Sequence, residues 1–308
     1  MPLGFSNAGR LVALTTEALK DLGTRMQLSQ VPTDTRLFMA LPDPLERSMP
    51  VSPELEEDEP RRFQVLGRRV LERALTSLDI RWTAGPWHFF GGGNAAFAHA
   101  LRAGVDAISQ HRCRSCLVIA VDSLAGPDVL PELLEARRVK KGDNPTGFTP
   151  GEGAVALWLT AQGHVAPPTG QEPRIVIRAV ELGEDPRFRG ADLPPDGRVL
   201  AGCVASALRT AGEGGRRLVL IGDLNGEEYR SREWGMLLVQ LRTQGLGSEV
   251  SSWFPAEGFG ETGAASGALG LCVAVRGLQR RYIPAPAPLV VSISDAGERS
   301  AILVSTET

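Results

Sequence analysis

The chain has 308 residues, 43% of them hydrophobic and 22% charged, with a formal net charge of −3. That is enough apolar material for one large domain or two half-domains, each with a buried core, and the near-neutral charge gives no electrostatic reason to expect a nucleic-acid or anionic-membrane partner. No run is long and apolar enough to span a bilayer, the first ten residues lack the layout of a secretory leader, and four cysteines do not make a disulfide framework in a chain this long, so a reduced, cytoplasmic protein is expected.

Leu11, Leu14, Leu19 and Leu22 predict a helix over 9–26, and 37–41 a short strand closed by Pro42. The charged run 54–62 reads as a solvated connector, and a helix over 63–78 follows. Trp87-His88-Phe89-Phe90, the glycines at 91–93 and the Ala-rich stretch 95–109 read as strand, turn and helix. The continuous apolar run 117–123 predicts a strand covered on both faces. A helix over 131–139 and a strand over 151–159 lead to a Gly/Pro-rich connector, 164–173, which divides the chain into halves 1–165 and 166–308. The second half repeats the scheme. It has strands at 174–182 and 217–222, helices at 197–211 and 227–244, a glycine loop at 258–263 opening a helix over 264–276, and terminal strands at 289–294 and 301–305. Two similar halves of alternating helices and strands predict an internally duplicated α/β protein.

Three patterns carry chemistry weakly. Gly258, Gly260 and Gly263 have dinucleotide-fingerprint spacing, but Glu261 stands where a pyrophosphate would approach, so helix-packing glycines are the expectation and no cofactor is assigned. Cys113 and Cys116 have redox or metal spacing, yet Cys116 leads straight into the apolar strand, which favours buried free thiols and no metal; Cys203 and Cys272 fall on apolar helix faces. Asp223, Asn225, Glu227 and Glu228 surround an Asn-Gly pair and read as a turn with an acidic first helical turn. Trp87, His88, Phe89 and Phe90 serve equally well as core filling or as interface anchors.

Four segments in order resemble the ketosynthase branch of the thiolase superfamily. Asp122-Ser123 with Gly147-Phe148-Thr149-Pro150-Gly151-Glu152-Gly153-Ala154 is the most specific; Ile221-Gly222-Asp223 with Glu233, the loop Gly260-Glu261-Thr262-Gly263-Ala264-Ala265, and the pair 289–292 with 301–304 are the others. The resemblance implies an N-terminally shortened, five-layer α/β/α/β/α sandwich of two pseudo-repeats with mixed five-stranded sheets, and a central first strand that is absent and supplied by a partner or a second copy. It also implies a Cys nucleophile in the 90–93 turn and two His, or His and Asn, elsewhere. Here those positions hold Gly92, Gly222 and Glu261. The implication is a chain without ketosynthase or thiolase activity, not an enzyme. It would act through protein contacts in a homo- or hetero-oligomer, as an adaptor for a bacterial secretion effector of type VI kind. The alternatives are a non-catalytic partner subunit of an active ketosynthase, similar to a chain length factor and able to bind an acyl group, or an enzyme using the carboxylates of Glu261 and Asp223.

Overall fold

The computed structural model describes residues 7–26, 28, 31–162 and 173–307, with the backbone alone at residue 7. The first half forms a sheet of strands β1 (Thr35–Ala40), β2 (Trp87–Phe90), β3 (Ser115–Ser123) and β4 (Glu152–Thr160), in the order β2-β1-β3-β4. The second half forms a sheet of β5 (Ile175–Glu184), β6 (Arg217–Gly222), β7 (Glu249–Trp253), β8 (Leu289–Ile293) and β9 (Glu298–Thr306), in the order β5-β9-β8-β6-β7. The helices are α1 (Asn7–Gly23), a short α2 (Pro53–Glu56), α3 (Glu59–Ser77), α4 (Ala96–Ser109), a short α5 (Leu130–Glu135), α6 (Arg198–Ala211), α7 (Glu228–Thr243), a short α8 (Ala256–Phe259) and α9 (Ser266–Gln279).

Strand alternation builds the layers. In β1 and β3, Leu37, Met39, Leu117, Ile119 and Val121 face α1 and α3, while Phe38, Cys116, Val118 and Ala120 face the centre, where α4 and α9 lie. From the other side Val219, Ile221, Val290 and Ile302 reach the same central layer, and Leu218, Leu220, Val291 and Leu303 reach α6 and α7. The result is a five-layer α/β/α/β/α sandwich. The two central helices can sit between sheets because their packed faces are small, with Ala96, Ala100, Ala268 and Ala274 all fully buried. Each larger aliphatic side chain taken fully from water into these layers contributes roughly 1.5–3 kcal/mol.

The halves match strand for strand: β1, β2, β3 and β4 occupy the places of β6, β7, β8 and β9. This corrects the expectation of two five-stranded sheets, since among the described residues the first has four. It also corrects the position of the absent strand. The unmatched strand is β5, which pairs antiparallel along the outer edge of β9. Among the described residues no strand lies at the corresponding outer edge of β4, whereas the central β1 is already bonded to β2 on one side and β3 on the other.

Other differences have local causes. The charged run 54–62 is not a plain solvated connector: it includes part of α2 and the start of α3, where Asp58 caps the helix by accepting from Arg61 N at 3.1 Å. Arg62, within that run, is buried. Helix α5 stops at Glu135, and Val139 instead bridges to Phe148. Strand β7, Glu-Val-Ser-Ser-Trp, lacks an apolar alternation and was not expected. The connector 164–173 lies outside the described residues except for Pro173.

Candidate functional site

The glycine turn after β2, the end of β6 and the 258–263 loop come from distant parts of the chain and meet at one end of the central layer. Gly92, Asn94, Arg230 and Glu261 help to line a cleft of about 310 Å³ there, and Gly222 lies on a second, smaller void that it shares with Glu261. At Gly92 the backbone has φ 107, a conformation that favours glycine. At Gly222 a Cβ would lie 2.2 Å from the ring of Trp234, so the indole fills the space that a side chain there would need. None of the four cysteines lines the cleft.

Glu261 is 4% exposed. Its Oε1 accepts hydrogen bonds from Asn94 Nδ2 at 3.0 Å, Gly263 N at 2.8 Å and Ser266 Oγ at 3.1 Å, and its Oε2 accepts from Asn225 Nδ2 at 2.6 Å. Asn94 directly follows the glycine turn and Asn225 sits in the loop after β6, so one carboxylate ties together all three places where the resemblance puts catalytic groups. The backbone fixes the loop as well: Glu261 N donates to Thr149 O at 2.7 Å, and Gly151 N donates to Glu261 O at 2.8 Å. A carboxylate with this many donors is anchored in a fixed position and has little capacity left for a substrate.

Buried ion pairs surround this centre. Asp122 accepts from Arg47 Nε at 2.9 Å and Arg47 Nη2 at 2.7 Å, and its Oδ2 also accepts from Ala264 N at 2.9 Å. The amides of Gly263 and Ala264, which a dinucleotide phosphate would need, are thus taken by the chain's own carboxylates. Arg230, 1% exposed, lies 3.1 Å from Asp223 Oδ2 and donates to Asp295 Oδ1 at 3.0 Å and to Asn94 Oδ1 at 3.2 Å. Arg138 holds Glu227 with two bonds of 2.9 Å and reaches Asp295 Oδ2 at 2.7 Å. Burial pushes Asp223 up to about 6, against the pull of Arg230 and with a push from Glu261, and its Oδ1 has no hydrogen-bond partner. Asp295 moves the other way: burial would raise it, but Arg230, Arg138 and Arg189 together hold it below the usual carboxylate range. Asp223 and Glu261 do line a common void, but it measures about 10 Å³, room for about one water molecule.

The remaining candidates lie away from the cleft. Glu233 is fully buried in a bidentate pair with Arg299, whose Nη2 also reaches the Tyr229 hydroxyl. Cys113 and Cys116 are buried with sulfurs 3.4 Å apart, and burial raises the Cys116 thiol above its ordinary range. Trp87, His88, Phe89 and Phe90 form β2, an edge strand bonded only to β1 among the described residues. All four are half-buried. His88 stacks on Phe38 with ring centroids 5.1 Å apart, Arg68 sits over the Trp87 ring at 5.4 Å, and burial, with Arg36 and Arg112, lowers the His88 pKa. Sequence reasoning missed Arg47, Arg138, Arg230 and Asn94. A buried arginine gives no periodic signal, and only Asn94's place directly after three glycines marks it.

No protein-family model matches the sequence, and no curated protein does. Solved structures do match in fold. The ishigamide ketosynthase/chain length factor has a TM-score of 0.68 at 17% identity over 99% of this chain and 86% of that one. A type II polyketide synthase acyl-carrier protein in complex with its ketosynthase, AntDE:AntF, has a TM-score of 0.71 at 13% identity over 97% and 85%. The oxazolomycin ketosynthase domain OzmH KS7 of Streptomyces albus JA3453 has a TM-score of 0.69 at 16% identity; 98% of this chain is covered but only 61% of that one. These likenesses establish the thiolase-like ketosynthase fold.

Proposed function

We propose that this chain is a non-condensing protein of ketosynthase fold that acts by binding another protein chain rather than by acyl transfer. The observation that supports this reading most strongly is the Glu261 carboxylate, held by four donors between the Gly92 turn and Gly222. A fixed negative charge there repels the oxyanion or enolate that condensation must stabilise. A turn without a nucleophilic side chain offers no covalent route, and loss of a general acid–base group removes about 10²–10⁴-fold in rate. The test is turnover: with acyl and malonyl thioesters, release of free thiol and carbon dioxide should equal the protein-free background. Release above background that Glu261→Gln changes would sink the reading.

The partner surface is the open edge of β2. Its half-buried aromatic residues suit an anchor at a protein contact. The names of two fold neighbours, a ketosynthase/chain length factor and a ketosynthase complex with an acyl-carrier protein, favour a ketosynthase-like subunit as that partner. Affinity capture of the tagged protein from its native host should retain such a chain, and Trp87→Asp should release it while the circular dichroism spectrum stays unchanged. Recovery of a secretion effector instead would favour the type VI adaptor reading.

A further inference from the structure

On the far side of the Asp43–Arg62 ion pair from the cleft lies a second cavity, of about 640 Å³. Asp43 lines the cleft and Arg62 lines this cavity, so the pair forms part of the wall between them. Its sides are the start of α1, the 44–55 segment and one face of α3. Two features set it apart from the cleft.

The first is its charge. The body of the cavity is apolar, built from Met49, Val51, Leu55, Val65 and Leu66, while its charged lining residues are Arg62, Arg69 and Arg73, with no acid among them. In a chain of formal net charge −3 this is a local reversal of sign. The second is that two of the three arginines are uncommitted. Arg62 is held by Asp43 and by the carbonyls of Leu55 and Glu56. Arg69 and Arg73 are exposed and have no ion-pair partner among the described residues. They stand one helical turn apart and so share a face of α3. Their neighbour Arg68 points elsewhere, to Glu72 and the Trp87 ring. The positive end of the α1 dipole adds to the same field, since Ala8 and Gly9 in its first turn line the cavity and that turn carries no acid.

We infer that this cavity binds an amphipathic anion: a carboxylate or phosphate head engaged by Arg69 and Arg73, with an unbranched apolar tail lying against Met49, Val51, Leu55 and Leu66. The volume falls in the range of small-molecule sites, and an apolar bed with a few convergent polar groups is their usual composition. Paired guanidiniums recognise both head groups by forked hydrogen bonding. The site is independent of the reading of the cleft, because none of its residues takes part in the Glu261 network.

Isothermal titration of the full chain tests this with decanoate, decyl phosphate and decanol, each below its micelle concentration. Saturable one-to-one binding of one or both anions is expected, with decanol at least tenfold weaker, and the two anion arms show which head group the site prefers. Arg69→Gln and Arg73→Gln should each weaken anion binding about tenfold, the scale of one charge-assisted hydrogen bond. Leu66→Trp, which fills the apolar bed, should abolish it. Because both arginines are exposed, their variants keep the wild-type fold, and unchanged melting curves confirm it. Absence of saturable binding to either anion, decanol binding as tightly as the anions, or full affinity in the double arginine variant would each overturn the assignment.

Discussion

The cleft and the outer cavity are built from the same material, arginines beside a hollow, and they differ in whether the chain satisfies its own charges. In the cleft Arg47, Arg138 and Arg230 each have a carboxylate oxygen within 3.1 Å, and Glu261 is saturated by donors from both halves. In the outer cavity Arg69 and Arg73 have no such partner among the described residues. A site whose arginines are already paired with carboxylates serves as a strut, because engaging a ligand through them would mean breaking buried bonds. A site with free charge at its rim is ready for a ligand. A cavity's position in a familiar fold therefore says less about its use than the state of its polar groups.

Substitutions can break that contrast, and their expected effects form a descending series. Arg230→Met leaves Asp223 and Asp295 without their shared cation in a buried setting and should cost about 3–5 kcal/mol in denaturant unfolding. A loss no larger than that of an exposed arginine would remove the strut interpretation. Asp223 gives the next effect, through pH. Its folded value of about 6 lies above its ordinary 3.8, so between those limits the folded chain keeps a proton that the unfolded chain has released. Stability from this group is complete below about pH 4 and declines as pH rises through 6, by roughly 3 kcal/mol. Asp223→Asn should flatten that part of the stability profile, and parallel profiles for the two proteins would contradict it. Glu261→Ala strands the Asn94 and Asn225 amides and the Gly263 N–H, and about 2 kcal/mol should be lost. At the bottom of the series, Arg69→Gln and Arg73→Gln should each change unfolding free energy by less than about 0.5 kcal/mol.

How much of this was legible in sequence follows from the range of the forces involved. The continuous apolar run of β3 and the Ala-rich stretch of α4 are local patterns that placed a strand and a helix, while the five layers came from the resemblance of the four segments taken in order. Glu261 could be singled out because its loop is compact and recognisable. Its donors could not, since Asn94 stands 167 residues away and no spacing rule links the two. Arg230 and Arg138 were invisible for the same reason: a charged side chain reads as solvent-facing until tertiary structure supplies buried acids. The absent strand shows a different failure. It was expected in the middle of the sheet, but the comparison needed the second half as a template, where the unmatched β5 lies outside β9.

The central claim, that the cleft is a structural junction and not a reactive centre, meets its most direct test in intact-mass spectrometry of the purified chain after incubation with an excess of acyl thioester. The account predicts a mass identical to that of the untreated protein. A gain of one acyl group, mapped by peptide analysis to a residue lining the cleft such as Ser294, would contradict it.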